Sequence, residues 1–427
     1  MDRFEPPCTC CWLYGDRVGM KITHTLKNLI LLCGSLAFTA ALILFAEFAL
    51  GRFFFTNTPL EKLQLLFPPG SREAFETPEF SYTVSINQLG LRDREIDPAR
   101  HPECRIAAIG DSFTYGFGVN LEDTWVKTLE RRLRASGLDV EIINCGSPGA
   151  GPADYARFAK KIVPILKPDL VLVGLLQDDI GVGDPPLLER EWNDALAWLR
   201  ASFPNIMHLM GQKQPWETTT GQPEEIAPSQ IKSSQLNREL DANAMRVNLE
   251  QASPEARARF DLLEPVVKER ALSGNLNPFM IVSALNGPDY YVWRLALETN
   301  AMQDFIDRTA ANLTYIRTVA EYCGGHAAVL GIPLGPYVNR HAHEAVQRLG
   351  FEVTGEMLTT DAPDRGAEQA SRQAGLPCRT ATAAFRERAD QPGLFFELDG
   401  HLTPAGHALY AETVAPFVED LVRTGTH

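Results

Sequence analysis

Two short stretches carry residue types capable of acyl chemistry. The first is Gly110-Asp111-Ser112-Phe113-Thr114-Tyr115-Gly116, directly after the apolar run RIAAIG at 105–110. A serine in a tight turn between a strand and a helix is placed as a nucleophile. The N-terminus of the helix that follows favours developing negative charge. The second is Asp399-Gly400-His401, near the C-terminus. A nucleophilic serine needs a base, and the base needs a carboxylate to orient it. Asp399 can accept a hydrogen bond from His401 Nδ1 and leave Nε2 facing Ser112. Each stretch also has a plainer use, Ser112 as a helix cap after a strand and Asp399 as the cap of the final helix. Either alone reads that way; together they supply nucleophile, base and acid.

The surrounding sequence contains the elements that would bring these residues together. RIAAIG, VEIIN (140–144), DLVLVGLL (169–176) and HAAVLGIP (326–333) are short apolar runs of the kind found in buried parallel strands, and a further strand is expected around Cys378–Ala381. Helical spacing occupies 122–136, 153–166, 301–322, roughly 339–349, and Pro404 to about Val422. Strands alternating with helices imply a parallel sheet covered on both faces, with ligands at the carboxyl ends of the strands. SYTVSIN alternates like a half-buried strand within a segment, 51–100, rich in Phe, Pro and turn residues. After Gly183 the rhythm stops. Residues 185–300 are rich in Pro, Gln and Asn with scattered helical patterns, and read as a mostly helical insertion between two parts of one α/β domain, 101–184 and 301–427.

At this point the chain resembles the SGNH (GDSL-type) hydrolase superfamily, in a membrane-anchored, bacterial-type form. Four blocks match in order. Gly110-Asp111-Ser112 is similar to the nucleophile block. Asn144-Cys145-Gly146-Ser147-Pro148-Gly149 is similar to the second, where Gly149 aligns with the glycine whose N–H helps form the oxyanion hole. Gly174-Leu175-Leu176-Gln177-Asp178-Asp179-Ile180 falls where the family has an Asn-Asp pair, and Asp399-Gly400-His401-Leu402-Thr403-Pro404-Ala405-Gly406-His407 is similar to the acid/base block. The resemblance covers roughly 84–183 and 320–420. It implies a flavodoxin-like three-layer α/β fold with a parallel sheet, a catalytic Ser112, His401 and Asp399, an oxyanion hole from Ser112 and Gly149, and no cofactor. Two departures stand out. Asp178 replaces the usual asparagine, and a carboxylate repels an oxyanion unless protonated. Either the backbone N–H groups suffice, or Gln177 supplies the amide, or Asp178 is held neutral. The acid and the histidine are also one residue closer than in the usual pattern.

Other candidates point elsewhere. Asp178, Asp179 and Asp184 suggest a calcium loop, but carboxylates at mixed spacing are ordinary turn residues. His341 and His343 with Glu344 diverge on a helix, since i and i+2 face different ways. No metal is expected. Gly116-x-Gly118 lacks the third glycine of a dinucleotide loop. Tyr290, Tyr291 and Trp293 suit an aromatic carbohydrate platform, but such residues are more often core packing or a lid contact.

Asn28 to Ala46 are nineteen residues without a charge. As a helix they span about 28 Å, close to the hydrocarbon thickness of a bilayer. Lys21 and Lys27 precede the run, which directs the N-terminus to the cytoplasm and the body outward. This assigns 1–27 as a cytoplasmic segment, 28–50 as an anchor, and 51–100 as juxtamembrane. A cleaved signal peptide is the alternative, but the run exceeds the usual apolar region and no small-x-small site precedes Glu47. Met20 also reads like a natural start, so residues 1–19, with Cys8, Cys10 and Cys11, could be an extension. Among the four cysteines of the body, Cys323 and Cys378 each precede or open a strand and could meet at a sheet edge in an oxidising compartment.

Among 427 residues, 54 acids against 40 bases give a net charge of −14. A nucleic-acid backbone calls for a basic face, so nucleic acid is not expected as a partner. Residues 1–28 carry four bases and three acids, so nearly all the negative charge lies on the exported body. Such a body disfavours anionic polymers and leaves neutral or acylated glycans and small esters. The reading is an extracytoplasmic serine esterase acting on acyl esters, small or glycan-borne, with the membrane as a partner through the N-terminal helix. The alternatives are an O-acyltransferase that modifies envelope polysaccharide, and a non-catalytic glycan-binding protein on the same scaffold.

Overall fold

The computed structural model describes residues 15–49, 64–97, 100–181 and 234–425. The expectations for 1–14, 50–63, Asp184 and the first part of the insertion lie outside the described residues. Gly15–Ala49 form one 35-residue helix. Within it Leu26–Ala46 is apolar over 21 residues with mean hydropathy 2.5, and among the described residues it is the one helix long and apolar enough to cross a membrane. A span and a signal sequence share those properties.

The body of the chain is an α/β unit. Strands β1 (Arg72–Glu76) and β2 (Ser81–Ser85) pair antiparallel as a hairpin. Strands β3 (Cys104–Gly110), β4 (Val140–Gly146), β5 (Leu170–Leu176), β6 (His326–Ile332) and β7 (Cys378–Thr380) form a parallel sheet in the order β4-β3-β5-β6-β7. This is the flavodoxin-like order, which reverses direction between β3 and β5 and places a crevice at their carboxyl ends. The apolar runs are continuous because both faces are covered. Ile106, Ala108, Leu170 and Leu172 face one core together with the helices at 125–135 and 404–424. Ala107, Ile109, Val171 and Val173 face a second core with the helices at 152–166, 300–322 and 362–373.

Residues 64–97 are built into this unit. Arg92 is buried; its guanidinium donates to the carbonyls of Tyr115, Gly116 and Val119 at 2.5–2.7 Å and lies over the rings of Tyr82 and Tyr115. Asp93 and Lys127 form a 2.6 Å ion pair with each side chain 3% exposed, and Asp93 also accepts the N–H of Asn144. Burial pushes the Asp93 carboxyl upward despite the lysine, so the pair is costly to break from one side. Lys127→Met is expected to lower unfolding free energy by about 3–5 kcal/mol, read from urea denaturation, because it strands a buried carboxylate.

The described part of the insertion is helical, at 234–251, 254–262, 265–272 and 278–286. Pro254, Pro265 and Pro278 each open a helix, where the missing N–H is harmless. Met245, Phe260, Val267, Ile281 and Leu285 join the same core as β3 and β5.

Candidate active site

The helical turn Ser112–Tyr115 sits directly on the ends of three strands. Gly110, Gly146 and Gly174 lie side by side in register across β4, β3 and β5. A Cβ on Gly110 would come within 2.1 Å of Thr114 Oγ1, one on Gly174 within 2.4 Å of the same atom, and one on Gly146 within 2.2 Å of the Tyr115 nitrogen. The row of glycines therefore clears the floor on which the serine turn rests. Asp111 caps the turn by accepting from Phe113 N at 2.9 Å, and Asn144 Nδ2 donates to the Thr114 and Tyr115 carbonyls.

Ser112 Oγ lies 2.8 Å from His401 Nε2, and His401 Nδ1 lies 2.5 Å from Asp399 Oδ1. The close spacing of acid and histidine works because Gly400 between them has φ +81°. That left-handed residue turns the two side chains toward each other, a conformation that costs other residues about 1–2 kcal/mol. Phe113 and Phe117 flank the imidazole, each at 4.8 Å between ring centroids. Burial alone would lower the His401 pKa; the charge of Asp399 and its hydrogen bond outweigh this and raise it above the ordinary imidazole value.

Gly149 has φ +74° and is exposed. Among the described residues no acceptor takes up its N–H or that of Ser112. Asp178 follows β5 and accepts from Tyr290 Oη at 2.7 Å. Its charge adds to burial in pushing Asp111 up to about 7. Gln177 is not available to an oxyanion: it is buried, its Nε2 donates to Asp364 and Thr382 at 2.7 and 3.0 Å, and its Oε1 accepts from Leu334 N. Asp179 turns away from Asp178, accepting from Tyr155 Oη and Leu176 N in the core.

A model of the GDSL-like lipase/acylhydrolase family matches residues 108–266. Residues 108–266 thus carry a match to the GDSL-like lipase/acylhydrolase domain. The parallel five-stranded sheet with flanking helices agrees with the fold of that superfamily, and the domain match supports an ester hydrolase. The GDSL match includes Ser112, Gly149 and Asp178 and ends before Asp399 and His401. None of the curated proteins matches the chain in sequence. Solved structures similar to it include a psychrotrophic esterase, EstA, from Pseudoalteromonas sp., at 12% identity over 75% of this chain and 98% of that one, TM-score 0.33. Another is a lipase/acylhydrolase from Enterococcus faecalis, at 13% identity over 74% and 96%, TM-score 0.32. A third is a catalytic mutant of the acetylxylan esterase Axe2 from Geobacillus stearothermophilus, at 15% identity over 75% and 95%, TM-score 0.33. Likenesses this distant do not bear on substrate.

The remaining candidates from the sequence are scattered. His341 Nε2 and His343 Nδ1 face different carbonyls, those of Asp390 and Pro336. Tyr291 is buried against Tyr337 and Phe351, and Trp293 packs on Phe305, so neither forms an exposed platform. Cys323 and Cys378 are unpaired thiols rather than a disulfide; burial pushes the Cys378 thiol up to about 11. Sequence reasoning missed Tyr290 as the partner of Asp178. The two are 112 positions apart, and nothing in either local pattern points to the other.

Proposed function

We propose that this chain is a membrane-anchored, extracytoplasmic serine esterase working through Ser112, His401 and Asp399. Ser112 Oγ attacks the acyl carbon of an ester while His401 Nε2 takes its proton. The N–H groups of Ser112 and Gly149 receive the oxyanion. His401 returns the proton to the leaving alcohol, and water, activated the same way, releases the acid. The observation that carries this reading is the unbroken contact from Oγ through imidazole to carboxylate, 2.8 and 2.5 Å. A fluorophosphonate probe is expected to form one adduct, on Ser112; folded protein that takes no label would sink the mechanism.

The outward orientation rests on Lys21 and Lys27, which precede the uncharged run Asn28 to Ala46. A body facing outward favours O-acylated glycans as the substrate class, which mass spectrometry of envelope glycan acylation with and without the protein tests. Asp178 serves as an acceptor for Tyr290, so the two backbone N–H groups carry the oxyanion hole. In Asp178→Asn, Tyr290 can still donate to the amide oxygen while the NH2 becomes a donor. The kcat on p-nitrophenyl acetate is expected to rise, by up to about 10²-fold. A fall would mean that the carboxylate itself takes part in the reaction.

A further inference from the structure

The hairpin β1–β2 reaches the back of the acid/base loop through one side chain. Glu79, in the turn between the strands, accepts the backbone N–H of Leu398 at 3.0 Å and that of Asp399 at 3.4 Å. Its carboxylate is also paired at 2.9 Å with Arg270, from the insertion helix Pro265–Leu272, and is only 9% exposed. The neighbouring Phe80 packs on Phe396 and on Phe117, at 5.1 and 5.7 Å between centroids, and Phe117 is one of the two rings flanking His401. The loop closes internally through Phe396 N to His401 O and Gly400 N to Phe396 O. These bonds leave the N–H groups of Leu398 and Asp399 pointing outward, where Glu79 collects both. Burial pushes Glu79 upward while the two N–H groups and Arg270 pull it back toward the ionised form, so the clamp depends on partners from three separate parts of the chain.

We propose that Glu79 is a positioning residue for the esterase reaction. It holds the backbone of Asp399, and through it the imidazole of His401, in line with Ser112, and Arg270 ties this clamp to the insertion. The proposal rests on the Ser112–His401–Asp399 reading above. It makes the segment before the sheet and the insertion working parts of the active site. Among the described residues no backbone carbonyl takes up those two N–H groups, so Glu79 is what holds them. A displacement of about 1 Å at such a site reduces turnover on the order of 10²-fold.

A cleft of about 170 Å³ lined by Glu79, Phe80, Phe117 and Asp399 reaches this point, which allows chemical rescue. In full-length protein in detergent, Glu79→Ala is expected to lower kcat on p-nitrophenyl acetate about 10²-fold with KM nearly unchanged, and added sodium formate to restore it about tenfold by refilling the carboxylate position. An unchanged kcat would overturn the proposal. So would a loss that formate does not reverse, accompanied by a lowered melting temperature, since that marks a folding lesion. Ser112→Ala measured alongside separates the two levels. An active Ser112→Ala removes the underlying mechanism, whereas an inactive one beside an unaffected Glu79→Ala removes only the role of Glu79.

Discussion

Ser112→Ala is expected to lower kcat by about 10⁶-fold while leaving the melting temperature unchanged. In the proposed mechanism Oγ, 2.8 Å from His401 Nε2, is the atom that forms the covalent bond, and alanine supplies no replacement for it. The fold is indifferent because the serine turn is held by other atoms. Asp111 caps it, Arg92 and Asn144 hold its carbonyls, and the three glycines beneath it are untouched. The residual rate, from the backbone N–H groups and substrate binding, stays about 10³–10⁴ above that in water. The check is steady-state hydrolysis of p-nitrophenyl acetate together with mass spectrometry for a fluorophosphonate adduct. A variant that keeps a substantial part of wild-type turnover would show that another nucleophile operates.

The second large effect belongs to Asp399. Asp399→Asn is expected to reduce kcat by about 10⁴-fold, since an amide presents a donor to His401 Nδ1 and favours the wrong tautomer. The pH profile should change with it. His401 must be neutral to accept the serine proton, so wild-type kcat/KM falls as pH drops through the imidazole pKa. Asp399 raises that pKa above its ordinary value against the opposing effect of burial, so the acid limb lies above the ordinary imidazole range. With the carboxylate gone, burial dominates and the limb moves to lower pH. A limb that stays in place would mean that Asp399 does not govern the imidazole.

Much of this was legible in the chain. The apolar runs beginning near Arg105, Val140, Leu170 and His326 became β3, β4, β5 and β6 almost residue for residue, because strands buried on both faces must be apolar throughout. The last helix, read from Pro404, also begins there, capped by Thr403 rather than by Asp399. The insertion was harder. Its composition gives scattered helical patterns without boundaries, and in the described part Pro254, Pro265 and Pro278 each start a helix. The helix Ala362–Gln373 was overlooked because its buried face is made of alanine and glycine, which give little hydrophobic contrast.

Readable in the chain alone are the residue types of the candidate site and their attachment to strand ends: Ser112 after β3, Gly149 after β4, Asp178 after β5, and the Asp399–His401 pair before the last helix. These follow from local rules, in which periodicity makes elements and elements end in functional turns. Which side chains meet is set by packing. It committed Gln177 to Asp364 and Thr382, gave Asp178 the hydroxyl of Tyr290, and set Glu79 behind Asp399, 320 positions away. Those pairings depend on burial, on the charge balance of desolvated groups and on how separate elements pack. No local pattern in the chain encodes them, because each partner's own neighbours would be the same without the other.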